Sequence, residues 1–182
     1  MARKEIRFAG FGGQGLLLAG IVLGRTATIY QDLQATQTQS YGTEARGGAS
    51  RCDVVIDDVE ITFTGVTKPD IFVVMSQEAY NRYIGMVKKG GVVFYESDLV
   101  KIDDLERIKH FPVSATKIAI DTLGKSVVAN IVMLGAMVEG TKILDADQVK
   151  ACIKKSVPPG TEELNLKAFD LGRSLFSMKK TN

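Results

Sequence analysis

Two clusters near the amino end have residue types and spacing suited to chemistry. Gly10-Phe11-Gly12-Gly13-Gln14-Gly15 satisfies the pattern Gly-x-Gly-x-x-Gly, in which a strand turns tightly into a helix whose first amide N–H groups are open to a phosphate or carboxylate. Ser40-Tyr41-Gly42-Thr43-Glu44-Ala45-Arg46-Gly47-Gly48 gathers a phenol, a carboxylate and a guanidinium in a loop closed by glycines. Arg46 could bind a carboxylate or phosphate, could lock the loop internally with Glu44, or could anchor a neighbouring subunit. Residue types alone leave those three readings open.

The first cluster is only half of a dinucleotide fingerprint. An acid should close the second strand and grip the ribose, but Thr38, Gln39 and Ser40 stand there, and Asp32 lies ahead of the strand. A nicotinamide-binding oxidoreductase is therefore an alternative reading, beside a structural turn in a non-catalytic assembly module. The chain has no Walker loop, no Gly-x-Ser-x-Gly elbow and no His-Glu-x-x-His. Its one histidine, His110, reads as an edge or surface residue of a strand. Two cysteines, Cys52 and Cys152, with no Cys-x-x-Cys, cannot furnish the four thiolates of an iron–sulfur cluster or zinc site, and both read as small buried residues. The expectation is a chain with no catalytic residue and no metal ligands of its own.

The elements that must position these clusters follow from periodicity. Glu5–Gly10 reads as a strand, Gln14 to Tyr30 as a buried helix, and 33–39, alternating and rich in threonine, as a second strand. The β-rich runs 49–56 and 60–64 flank Asp57-Asp58 and read as an antiparallel hairpin. The apolar runs 71–75 and 92–95 read as interior strands, separated by a helix that Ser76 caps and Gly90-Gly91 ends. After a polar stretch, 108–113 is the last strand, and Ser114 caps a short helix ending near Gly124. The carboxyl-terminal third is helical: a buried helix over 127–138, one opened by Asp145, and a last one from Thr161 with Leu164, Ala168, Leu171 and Leu175 on one stripe. Asn130 in the buried helix needs a partner, either in the core or across a subunit boundary. The fold class expected is α/β: a Rossmann-like three-layer sandwich with a mostly parallel sheet, an antiparallel hairpin and a helical carboxyl-terminal third, as one domain over 1–182.

Composition narrows the function classes. With 23 Lys+Arg against 21 Asp+Glu, scattered, a nucleic-acid footprint is not expected. The most apolar stretches, Leu16–Leu23 and Val127–Val138, are shorter than the ~20 residues of a membrane span. No signal-peptide core precedes the first strand, so a cytosolic location is expected.

The residues also carry a resemblance. Residues 6–15 and 40–48, then Pro69-Asp70 before the apolar strand and Val128-Ala129-Asn130-Ile131-Val132-Met133-Leu134-Gly135-Ala136, resemble the gamma subunit of the 2-oxoacid:ferredoxin oxidoreductases over about 3–155. The resemblance implies a multi-subunit enzyme that oxidatively decarboxylates a 2-oxoacid with coenzyme A to acyl-CoA, carbon dioxide and reduced ferredoxin, with a lean toward 2-oxoglutarate. It implies thiamine diphosphate with Mg2+ on alpha and beta partner subunits, and iron–sulfur clusters on beta or a ferredoxin-like delta subunit. This chain would hold none of these alone and would be inactive in isolation, shaping the complex and the active-site edge. Gly12, Gly13, Gln14, Gly15, Ser40, Tyr41, Gly42, Glu44, Arg46, Gly47, Gly48 and Asn130 would form its cofactor-binding or interface face, near the coenzyme A path.

Arg46 offers the first test. If it anchors the loop or a neighbour, Arg46→Ala weakens assembly with partner subunits by about 2 kcal/mol or more, measured by titration calorimetry. Unaltered assembly and turnover would reduce the loop to decoration.

Overall fold

The structure, a computed structural model, describes residues 2–40, 49–103 and 105–179, with side chains through 176. Six strands form one sheet in the order β2-β3-β1-β4-β5-β6. They are β1 (Lys4–Gly10), β2 (Gln34–Ser40), β3 (Ser50–Asp57), β4 (Ile71–Val74), β5 (Val92–Glu96) and β6 (Lys109–Val113). Only β3 runs against the others, paired antiparallel to both β1 and β2. The parallel pairs β1–β4, β4–β5 and β5–β6 complete the sheet.

The expected antiparallel excursion is present, but its partner differs. The hairpin is β2 with β3, joined through 41–49, and 60–64 forms no strand. Asp57-Asp58 ends β3 instead of turning it back, with the Asp57 carboxylate accepting the Asp58 N–H at 2.9 Å. The charge-free 34–40 segment competes better for β3, meeting it residue for residue from Gln34↔Asp57 to Ser40↔Arg51. Asp32, with φ 52°, takes the left-handed conformation that short polar residues tolerate, so the chain can reverse into β2.

The layers are unequal. One face buries Ile6, Phe8, Val54, Val73 and Phe94 under α1 (Leu16–Tyr30), α3 (Ala115–Leu123), α4 (Ala129–Thr141), α5 (Ala146–Ser156) and α6 (Glu162–Lys179). The other buries Ala9, Phe72, Val74 and Val93 under α2 (Gln77–Tyr83) and the residues Val87, Val100 and Ile108. No helix among the described residues is long and apolar enough to cross a membrane.

Caps agree with the sequence in two of three places. The Ser76 hydroxyl accepts the Ala79 N–H at 3.3 Å, and the Asp145 carboxylate accepts the Gln148 N–H at 3.0 Å. Ser114 makes no capping bond. Glu96, at the end of β5, takes that place, its Oε2 accepting both the Thr116 N–H at 2.7 Å and the Thr116 hydroxyl at 2.8 Å. The buried central helix starts later than expected, since Val127 is 71% exposed on a 3-10 turn over Ser126–Val128 and the α-helix begins at Ala129. On α6 the fully buried stripe is Asn165, Ala168, Phe169 and Phe176, while Leu164, Leu166 and Leu175 pack half-buried at its margin. The reason lies at the crossing of α4 and α6, where a Cβ on Gly135 would meet the Phe169 carbonyl and one on Gly172 the Val132 carbonyl. Glycine at both positions lets the two backbones touch, which pulls that face of α6 inward.

Within the sheet lies a charged pair that the apolar runs concealed. Arg7 and Asp53, opposite each other on β1 and β3, are 1% and 4% exposed. Arg7 Nε and Nη2 donate to the two Asp53 oxygens at 2.7 and 2.8 Å, and Nη2 also donates to the Val66 carbonyl at 2.8 Å. The Tyr83 ring lies 5.0 Å from the guanidinium carbon. A bidentate, desolvated pair of this kind is costly to break from one side, because the surviving charge stays buried. Asp53→Ala is therefore expected to lower the unfolding free energy by about 3–5 kcal/mol in urea titration. The double variant Arg7→Met/Asp53→Leu should lose far less; equal losses would show that the pair is not fully desolvated.

Candidate functional site

The glycine turn stands where β1 passes into α1, at the carboxyl-terminal edge of the parallel strands. Gly13 and Gly15 have φ of 88° and 69°, values that side chains with a Cβ rarely adopt. Gln14 folds back into the turn: its Oε1 accepts the Phe11 N–H at 2.7 Å and its Nε2 donates to the Met75 carbonyl at 3.0 Å. Its amide thus braces the turn against β4 and is not turned outward to a ligand. Gly15 is in the left-handed N-cap position of α1, no side chain caps that helix, and its first turn carries no acid. Uncapped amides at a helix start favour an anionic group.

Asn130 joins this turn from α4. Its Nδ2 donates to the Gly15 carbonyl at 2.9 Å, and a Cβ on Gly15 would collide with the same amide. That bond fits the core role open to Asn130. Its Oδ1 is buried and finds no hydrogen-bond donor among the described residues. That orphaned acceptor, beside uncapped N–H groups, marks the place where the chain's own bonding is incomplete.

β2 ends and β3 begins on either side of the second cluster. Ser50 pairs with Gly10 and Ser40 with Arg51, so the residues on either side of 41–48 lie at the edge that carries the turn. The Ser50 hydroxyl lies 3.7 Å from where a Cβ on Gly12 would be. Tyr41, Gly42, Glu44, Arg46, Gly47 and Gly48 lie outside the described residues. Gly12, Gly13, Gln14, Gly15, Ser40 and Asn130 are therefore the predicted site residues that the structure places, all at one edge.

Other residues divide plainly. Cys52 is buried, accepts a hydrogen bond from Gln37 Nε2 at 3.1 Å, and is pushed up to about 12 by burial, so its thiol is no nucleophile. Cys152 is buried in α5. His110 lies on the edge strand β6, edge-on to Tyr95 with ring centroids 6.4 Å apart. A cavity of ≈ 520 Å³ rimmed by Lys4, Lys88, Lys89, Lys109 and Lys142 opens at the opposite, amino-terminal edge and shares no residue with the turn. Strands in open α/β sheets bind ligands at their carboxyl ends, so the glycine edge is the stronger candidate.

Sequence reasoning passed over Glu96. It is fully buried at the carboxyl end of β5, and Oε1 has no partner among the described residues. The readable signal was an acid closing an interior apolar strand.

A family model described as pyruvate ferredoxin/flavodoxin oxidoreductase matches residues 5–175. The chain is 52% identical over 179 residues to a "2-oxoglutarate synthase subunit KorC" of Methanothermobacter thermautotrophicus, covering 95% of each. It is 50% identical over 172 residues to the subunit of the same name in Methanocaldococcus jannaschii, covering 93% of this chain and 92% of that one. Among solved structures it superposes on a keto/oxoacid ferredoxin oxidoreductase gamma subunit of Geobacter sulfurreducens with TM-score 0.89 and 38% identity, covering 98% of both.

Glu96 supplies a pH test. Burial raises its carboxyl above the ordinary 4.5, against the bonds from Thr116 that pull it down. The folded chain thus holds this proton more tightly than the unfolded one. The resulting stability is complete below the unfolded value and is lost as pH rises through the folded value. Relative to Glu96→Gln, the wild-type melting temperature should therefore fall as pH climbs from about 4.5 towards neutrality. Parallel curves would show that burial does not perturb this carboxyl.

Proposed function

The chain belongs to the pyruvate ferredoxin/flavodoxin oxidoreductase family and is a gamma-type subunit of a 2-oxoacid oxidoreductase, and we propose that its complex acts on 2-oxoglutarate. Support for that oxoacid comes from the two 2-oxoglutarate synthase subunits, which match nearly end to end at 52% and 50% identity. The reaction proposed is oxidative decarboxylation with coenzyme A, giving succinyl-CoA, carbon dioxide and reduced ferredoxin. Alpha and beta subunits, with a ferredoxin-like delta subunit, would hold thiamine diphosphate, Mg2+ and the iron–sulfur clusters. Residues 1–182 would act as one gamma domain.

The observation that carries this chain's part is the meeting of both glycine clusters' flanks at one edge, beside an uncapped α1 and the unpaired Asn130 Oδ1. The N–H donors at the amino terminus of α1 fit an anionic moiety, and Gly12 and Gly13 leave the approach open, whereas the Asn130 Oδ1 is an acceptor that would take an N–H or O–H of the ligand or of a partner. Phosphates of coenzyme A would meet that requirement, with Arg46 as the neutralising cation. Two apolar side chains at the same edge, Phe11 at 41% and Val127 at 71% exposure, suit contact with a partner subunit. In this arrangement the chain binds and orients, and the partners carry the electron and carbon chemistry that thiamine diphosphate and the clusters supply.

The nicotinamide reading loses its ground in the topology. In a dinucleotide fold the strand beside the glycine turn runs parallel to β1 and ends in the ribose-binding acid. Here β3 lies beside β1, runs antiparallel and brings Ser50 next to the turn.

Co-expression with the alpha, beta and delta subunits tests the proposal. The complete complex should reduce ferredoxin with 2-oxoglutarate and coenzyme A at a kcat/KM about tenfold or more above that with pyruvate. Omitting this chain should abolish turnover. A preference for pyruvate would overturn the oxoacid assignment, and full activity without this chain would overturn its role at the active-site edge.

A further inference from the structure

At the amino-terminal edge of the sheet, five lysines from separate parts of the chain converge on one cavity of ≈ 520 Å³. Lys4 opens β1, Lys88 and Lys89 stand ahead of β5, Lys109 opens β6 and Lys142 follows α4. The carboxylates at hand are already engaged. Asp70, in the cavity wall, accepts from Lys88 Nζ at 2.8 Å and from the Glu5 N–H at 3.0 Å. Glu139 accepts from Lys142 Nζ and, at 3.0 Å, from Arg173 Nε. The partial negative charge at the carboxyl end of α4 is answered by Lys142 as well. Lys4, Lys89 and Lys109 are left with no ion pair among the described residues. Like charges gathered around one hollow repel each other, a cost that an anion entering the hollow relieves.

The frame that holds these lysines is made of backbone bonds. The Gly91 N–H donates to the Lys88 carbonyl at 2.8 Å, closing a turn with Lys89 and Gly90 at its corners, and Gly90 has the φ of 80° that a type II turn requires there. The Gly90 N–H donates to the Arg107 carbonyl at 2.8 Å and the Lys109 N–H to the Gly91 carbonyl at 3.1 Å. Lys89 and Lys109 are thus tied to each other without help from any side chain. The cavity wall also includes Ile71 and Ile143, both buried, and the half-buried Phe111.

The type of cation selects among anions. No arginine, whose planar fork matches a carboxylate, lines this cavity among the described residues. Ammonium groups act as point charges on flexible stems and can close on a tetrahedral phosphate from several sides. A hollow of this volume is of the size that holds a small molecule. We propose that the cavity is a second binding site, separate from the glycine edge, for a small molecule carrying a diphosphate, with Lys4, Lys89 and Lys109 as the groups that neutralise it. The two sites lie at opposite edges of the sheet and share no residue, so each can be filled while the other is occupied.

Titration calorimetry on the full chain, with inorganic pyrophosphate as the probe and citrate as a carboxylate control, reads the outcome. Pyrophosphate should bind saturably, about tenfold or more tighter than citrate, and should shift the amide resonances of Lys89, Gly90, Gly91 and Lys109. The double variant Lys89→Ala/Lys109→Ala should raise its dissociation constant about tenfold or more. Both side chains are exposed and unpaired among the described residues, so circular dichroism should not change. Arg46→Ala should leave the constant unaltered. Binding lost in Arg46→Ala but kept in the double lysine variant would put the anion at the glycine edge and overturn the proposal. Equal affinity for citrate would reduce the cavity to general attraction of negative charge, and absence of saturable binding would deny the site; either result ends it. Binding by the chain alone that vanishes once the alpha, beta and delta subunits are added would give the lysines to an acidic face of a partner and end it equally.

Discussion

Arg7 and Asp53 face each other from neighbouring antiparallel strands, and because side chains alternate faces along a strand, a slip of one residue would send them to opposite sides of the sheet. Each charge would then be buried alone, a far larger loss than the apolar contacts of so short a strand pair could offset. The pair therefore pins β3 against β1. Pinning β3 sets Ser50 against Gly10, and through the β2 register sets Ser40 against Arg51. The two glycine-bearing segments, thirty residues apart in sequence, are flanked by the same few ångströms of sheet edge for this reason.

A second constraint reaches the turn from behind. Gly15 has no room for a side chain because Asn130 occupies that space, and Asn130 starts α4, whose next residues are buried almost without exception. The position of α4 is fixed in turn by its close crossing with α6 at Gly135 and Gly172. Core packing thus runs from α6 through α4 to the amino terminus of α1, and the one amide in that path hands its hydrogen bond to the turn. Gln14 performs the corresponding service from within, tying the turn to β4. Rigid support behind an open rim is what a surface that orients a ligand or a partner requires.

Much of this was legible in the residues. Long apolar or strongly patterned runs, β1, α1, β4, β5 and α4, stand within a few residues of their expected places because burial on one or both faces leaves little choice of conformation. The errors share a cause. The β-rich runs flanking Asp57-Asp58 point to 60–64 as the partner of β3, whereas pairing is decided by the whole ladder, which β2 supplies, and loop length adds little cost. Ser114 looked like a cap, but a carboxylate on a neighbouring strand reached the same N–H groups first. Long-range competition of this sort has no local signature. Arg7 and Asp53 did have one: each is a charge set between the apolar residues of a buried strand, a position rarely buried unless paired.

The antiparallel strand also explains why a glycine fingerprint here need not signal a dinucleotide. A ribose diol is held by a carboxylate at the end of the strand adjoining the turn, and reversing that strand replaces its carboxyl end by its amino end. Of the two acids on β3, Asp57 closes the far end of the strand, and Asp53 is buried against Arg7 and further approached by Arg51 at 3.6 Å. It serves the register and has no oxygen to spare for a ligand. What remains at the rim has no carboxylate: the N–H groups at the start of α1, the Ser50 hydroxyl, the Asn130 Oδ1 and the approach left free by Gly12 and Gly13. The N–H groups of that set select for negative charge, which a ribose lacks and a phosphate or carboxylate supplies. The inverted strand thus leaves the glycine edge without the acid that a dinucleotide fold places there.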